Sequence, residues 1–113
     1  MSEYLFLYRA PTGGPKLSPD EMQKRMQAMM KWMKELGDNG HIKNAGQPLE
    51  ATGKVVSNSG KSITDGPYAE AKDVVLGYMI IEARDLAQAA DLAKAAPMIQ
   101  GDGVLEVRPV RTM

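Results

Sequence analysis

A chain of 113 residues carrying 14 basic and 14 acidic side chains has room for one hydrophobic core and none for a second domain. The balanced charge provides no strong field for a polyanion, so nucleic acid and anionic membrane are not expected as its main partners. The absence of cysteine excludes disulfides, thiolate metal sites, cysteine nucleophiles and iron–sulfur clusters. Residues 1–113 are read as a single domain.

Ser2 and Glu3 lead straight into a strand-like run, without the basic start and apolar stretch of a secretion signal. No apolar run reaches membrane-spanning length, so a cytoplasmic location is the expectation. Residues 4–8 place Tyr4, Phe6 and Tyr8 on one face and Leu5 and Leu7 on the other, which predicts a central strand. Residues 9–15 contain Pro11, Gly13, Gly14 and Pro15 and read as a surface loop. Ser18, Pro19 and Glu21 form a helix start: an N-cap hydroxyl, a proline at the first helical position and a glutamate placed for a capping box. The helix stops in the stretch from Gly37 to Gly40.

Within it, Met22, Met26, Met29, Met33 and Leu36 recur at spacings of four, three, four and three, which gathers them on one stripe. Thioethers are soft ligands for cuprous ion and suit adaptable binding grooves. With the period of a buried face and no histidine or cysteine beside them, these residues are assigned to the core.

Residues 41–49 are weakly apolar and interrupted by Gly46 and Pro48, as in an irregular edge strand. Residues 54–57 and 61–64 flank Asn58, Ser59 and Gly60 and predict a hairpin. Residues 74–81 are apolar at odd and even positions apart from Gly77, the pattern of a strand covered on both faces in the middle of a sheet. Asp85 caps a second helix, with Gln88 in the capping-box position. Leu86, Ala89, Ala90, Ala93 and Ala96 form its small-residue face, and Pro97 ends it. Residues 104–110 make the last strand. Leu105 and Val107 face one way, Glu106 and Arg108 the other, and Pro109 confines the strand to an edge or a terminus.

This order predicts an α+β fold: the ferredoxin-like βαββαβ plan, an antiparallel sheet with two helices on one face. The other face then carries apolar residues that a second sheet would cover, so a two-fold homodimer is expected.

Thr64, Asp65, Gly66, Pro67, Tyr68, Ala69 and Glu70, followed by the strand through Gly77 and Glu82 and by Glu106 to Val110, resemble the YCII-related proteins. The likeness is to the subgroup named for its Asp-Gly-Pro-Phe (DGPF) motif, with Tyr68 in place of the phenylalanine. It covers nearly the whole chain and implies a dimeric α+β barrel of largely unknown biochemical function. YCII-type relatives imply a histidine–aspartate pair in a cleft, with the histidine on the first helix. Residues 18–37 hold no histidine, so that histidine is not carried over. The wider superfamily includes muconolactone isomerase-like enzymes and heme- or quinone-directed monooxygenases. The subgroup also occurs beside sigma factors of the extracytoplasmic type.

Asp65 is the first catalytic candidate, as a general acid or base or as the holder of a substrate hydroxyl at the mouth of an apolar cavity. Asp-Gly and Gly-Pro are also turn dipeptides, so a purely local role competes. His41, the only histidine, is the second candidate, set against a role as a cation at a helix end. Tyr68, Tyr8, Glu106 and Arg108 are the ligand-binding candidates. Arg108 suits a carboxylate bidentately, and the alternative for Glu106 and Arg108 is a salt bridge. No metal set emerges, Gly13 and Gly14 lack a phosphate-loop pattern, and no cofactor is assigned. The leading functional expectation is a small homodimer binding a small organic molecule near Asp65, with acid–base chemistry. The alternatives are a noncatalytic module that contacts a sigma factor and a heme- or flavin-dependent monooxygenase.

Overall fold

The computed structural model describes residues 1–13, 16–67 and 71–112. In chain order the elements are β1 (Ser2–Pro11), α1 (Pro19–Asp38), β2 (Ile42–Pro48), β3 (Gly53–Ser57), β4 (Ser62–Gly66), β5 (Asp73–Ala83), α2 (Leu86–Ala93) and β6 (Val104–Pro109), with a short 3₁₀ turn at Pro97–Ile99 before the last strand. The four longer-range strands form one antiparallel sheet in the order β2-β5-β1-β6. This is a ferredoxin-like α+β fold. The apolar segments of residues 4–8 and 74–81 become its two central strands, and the strand containing Pro109 is an edge. The β3–β4 hairpin, inserted between β2 and β5, pairs as a two-stranded sheet of its own.

Alternation divides the sheet's two faces. Tyr4, Phe6, Met79, Ile81 and Ala83 point to the helices and are buried with Trp32, Leu36, Ala89 and Ala93. On the other face Leu5 lies opposite Ile80 and Leu7 opposite Tyr78, and all four are half-buried. The start of α1 behaves as its residues dictate, whereas α2 keeps its Asp85 cap without the expected capping box, because Gln88 Oε1 accepts from the Arg84 amide (2.7 Å). The Glu21 amide donates to Ser18 Oγ (3.2 Å) while Glu21 Oε1 accepts from the Ser18 amide (3.3 Å), and the Gln88 amide donates to Asp85 Oδ1 (2.8 Å).

Three further expectations need correction. Residues 9–11 extend β1 instead of opening a loop. A bulge between Tyr8 and Arg9 resets the register, so that Arg9, Ala10 and Pro11 pair with Val75, Val74 and Asp73. Pro11 is tolerated there because it is the strand's last residue. The methionine stripe is not closed core: Met22 is 57% and Met26 64% exposed, Met29 and Met33 are half-buried, and only Trp32 and Leu36 of α1 are buried. The helix is anchored through its second half, and its first half leaves the methionines along an open wall. The second helix stops at Ala93, short of Pro97, and on it Leu86 and Ala90 are exposed while Ala89 and Ala93 are buried, because two turns of helix present only one narrow alanine stripe to the sheet; Ala96 is buried beyond the helix end.

Candidate binding cleft

The open wall of α1 faces the sheet across a cleft of about 500 Å³. Phe6, Tyr8, Gly77 and Met79 line it from β1 and β5, and the first two-thirds of α1 lines it from the other side. Glycine is the smallest residue that β5 has to offer on the helix-facing side, and Gly77 sits there opposite Tyr8. The floor is therefore low at that point. Ala45, Gly46, Gln47 and Pro48 of β2 close one flank, with Met98 and Leu105 also on the lining. Gly46 is required for this flank: its φ is +69°, and an added Cβ would overlap the Tyr78 carbonyl. The opposite end of the helix is pinned by Trp32, whose ring stacks on Phe6 and whose Nε1 donates to the Leu92 carbonyl (3.1 Å).

Seven of the nine methionines line this cleft. Their unbranched, polarizable side chains adapt to occupants of irregular shape. Arg25 is the one charged residue on the lining among the described residues. It is half-buried and also borders a second, more polar depression of about 460 Å³ with Glu21, Lys24, Lys31 and Glu35.

The residues singled out from the sequence divide into separate places. Tyr8 lines the cleft. Glu106 and Arg108 lie on the opposite sheet face, paired with the Leu7 and Leu5 positions. There Arg9 Nε donates to Glu106 Oε1 (2.8 Å), Arg9 Nη1 lies 3.3 Å from Asp73 Oδ1, and Arg108 Nε lies 3.9 Å from Glu106 Oε2. The hydrogen bond to Glu106, with the nearby charges of Glu106 and Asp73, raises the Arg9 pKa above its ordinary value, and burial opposes this.

His41 is half-buried at the foot of β2, with Nδ1 2.8 Å from the Glu82 carbonyl, and the Glu82 amide donates back to the His41 carbonyl (2.7 Å). The ring thus clips β2 to the end of β5, with Nδ1 carrying the donated proton. Asp65 lies on β4, opposite Lys54 of β3, and the two side chains form an ion pair in which the Asp65 side chain is 87% exposed. Within one protomer Asp65 therefore does not stand at the mouth of the apolar cleft: the hairpin carries it as a solvated cross-strand pair. Tyr68 lies outside the described residues.

Arg25, Trp32 and Gly77 were not among the candidates. Arg25 had a legible signal, since it lies three residues after Met22 and four before Met29, which puts a cation beside the methionine stripe.

Among the described residues no group of three or more histidines or carboxylates is placed to hold a metal ion, and no helix is long and apolar enough to cross a membrane. No curated protein matches the sequence closely enough to count as a relative. The model of the YCII-related domain matches residues 4–113, and the chain belongs to that family.

Proposed function

We propose that the protein is a small cytoplasmic homodimer of the Asp-Gly-Pro-Phe subgroup, a dimeric α+β barrel, that holds a small organic molecule between α1 and the sheet. One observation carries this reading: a concave, largely apolar cleft of about 500 Å³ inside the fold, within the size range of small-molecule sites. The dimer is supported by the sheet face bearing Leu5, Leu7, Tyr78 and Ile80, since the buried core and its two helices lie on the other face. A second copy packed sheet to sheet would cover it. Acid–base chemistry by Asp65 is part of the same proposal, tied to the dimer, because the hairpin holds Asp65 outside its own protomer's cleft.

Native mass spectrometry of the untagged protein, gentle enough to retain ligands, is the test. A dimer carrying a reproducible extra mass supports the reading and gives the molecule's chemical class. A clean monomer overturns the two-sheet arrangement. With the retained molecule identified, Asp65→Asn is expected to abolish its turnover at an unchanged melting temperature. A large loss of stability without any effect on the ligand counts against a role for Asp65 in the chemistry.

A second reading has one observation in its favour. Val56 and Ile63 face each other across the hairpin and are 62% and 66% exposed, an apolar pair suited to contact with another protein. A noncatalytic module that engages a sigma factor would use such a pair. An empty dimer that co-purifies with a sigma factor, and loses it on Val56→Lys, would favour this reading over the first.

A further inference from the structure

We propose that the cleft selects an amphipathic monocarboxylate, with its apolar body against the methionines of α1 and its carboxylate on Arg25. This rests on the reading of the cleft as a small-molecule site and adds the charge and shape of the occupant. The lining along α1 and the sheet is apolar almost throughout, so a ligand that fills it gains by removing hydrocarbon from water. A ligand charged at both ends would leave one charge unpaired in that lining, which is costly.

Arg25 sets the sign and the place of the single polar end. Arg9, Arg84 and Arg108 each have a carboxylate oxygen within 4 Å, but half-buried Arg25 has none among the described residues. A guanidinium presents a planar fork of donors that matches a carboxylate bidentately and is less strongly hydrated than an ammonium. Its position is that of a boundary group, because it borders both the apolar cleft and the polar depression beside it. In that depression Lys24 and Lys31 add positive charge. With Arg25 they make three cations against the two acids Glu21 and Glu35, so the depression keeps an excess of positive charge. Local charge and local shape thus agree on an anion at the rim and a hydrocarbon body within.

The sole tryptophan, Trp32, lines the cleft and reports on its occupancy. Trp32 fluorescence is titrated with decanoate, decan-1-ol and decyltrimethylammonium, each below its micelle-forming concentration, on the full chain and on Arg25→Gln, Arg25→Lys and Met26→Gln. Decanoate is expected to bind about tenfold or more tightly than decanol. Arg25→Gln should bring decanoate down to the decanol level and leave decanol unchanged, and Arg25→Lys should recover part of the difference. Met26→Gln, which adds no charge beside Arg25, should weaken decanoate and decanol alike, with circular dichroism confirming an intact fold.

Equal binding of decanoate and decanol, or a decanoate preference that survives Arg25→Gln, would overturn the carboxylate proposal while leaving an apolar site in place. Decyltrimethylammonium binding as tightly as decanoate would overturn it as well. Binding by none of the three would sink the small-molecule reading itself. Decanoate binding that appears only on dilution would assign the cleft to a second copy of the chain, against the proposal.

Discussion

The Trp32 ring lies over Phe6 with centroids 6.1 Å apart and planes 12° from parallel, and its Nε1 donates to the Leu92 carbonyl. One side chain on α1 therefore binds the sheet through a stacked ring and reaches the end of α2 through a hydrogen bond. Toward the helix N-terminus the packing opens into the methionine-lined cleft; toward the C-terminus Leu36 is 3% exposed and closes the core. Trp32 is both the anchor of the helix and the inner end of the candidate site.

Trp32→Ala is expected to destabilise the protein by about 3–5 kcal/mol, the range for removing a large buried aromatic. Trp32→Phe should cost less, because it preserves most of the apolar volume but leaves the Leu92 carbonyl without its donor. Urea unfolding followed by far-ultraviolet circular dichroism measures both. Equal costs for the two variants would mean that the hydrogen bond, not the stacked ring, dominates.

The first and second halves of α1 should respond differently to substitution. Met22→Gln and Met26→Gln are expected to change stability by no more than about 0.5 kcal/mol each, as at an exposed position. Leu36→Ala should cost about 2–5 kcal/mol as at a filled core position. The same unfolding series checks this contrast. A loss of several kcal/mol from Met26→Gln would restore the methionine stripe to the core.

The methionines show where sequence reading reached and where it stopped. Their spacing on one helix face was plain, and so was the capping box formed by Ser18 and Glu21, because both depend on residues close in the chain. Whether that face is pressed against the sheet or held off it depends on Trp32, Gly77 and the flank of β2, which come together only in the fold. The central strands were legible because apolar residues on both faces of residues 74–81 leave few other placements. Asp65 was misplaced relative to the cleft for the same reason that the hairpin was found: its cross-strand partner Lys54 is local, whereas the hairpin's distance from the cleft is tertiary. His41 was visible as the only titratable imidazole, but its clip to Glu82 spans 41 residues and left no local mark.

Gly46→Ala tests the flank of the cleft. The residue has φ +69°, and a Cβ would meet the Tyr78 carbonyl oxygen at well under contact distance. The backbone cannot keep its course, so the variant is expected to lose about 2 kcal/mol or more. Hydrogen exchange should speed up at the amides that pair β2 with β5 before it does so in β1. Uniform destabilisation across all four strands would show that β2 and the core unfold as one unit.

The Arg9 cluster on the open sheet face supplies a test of the dimer as well as of the ion pair. Arg9 and Glu106 are each about one-third exposed within a protomer, so a double-mutant cycle with Arg9→Leu and Glu106→Gln on an isolated protomer should give a coupling of about 0.2–1 kcal/mol, reduced by salt. Because the Arg9 pKa is raised on folding, the stability this guanidinium contributes is fully present below arginine's ordinary pKa. It is lost only as pH rises through the raised value, so Arg9 ionisation adds no slope near neutrality. If a second sheet covers this face, the groups lose water and the coupling strengthens, and removing Glu106 alone leaves Arg9 with Asp73 and Arg108 without a carboxylate among the described residues. Glu106→Gln should then weaken self-association in sedimentation velocity, and Arg9→Leu with Glu106→Gln together should weaken it further, because Asp73 then loses Arg9. An oligomeric state unchanged in both variants would place Arg9 and Glu106 outside any interface between copies.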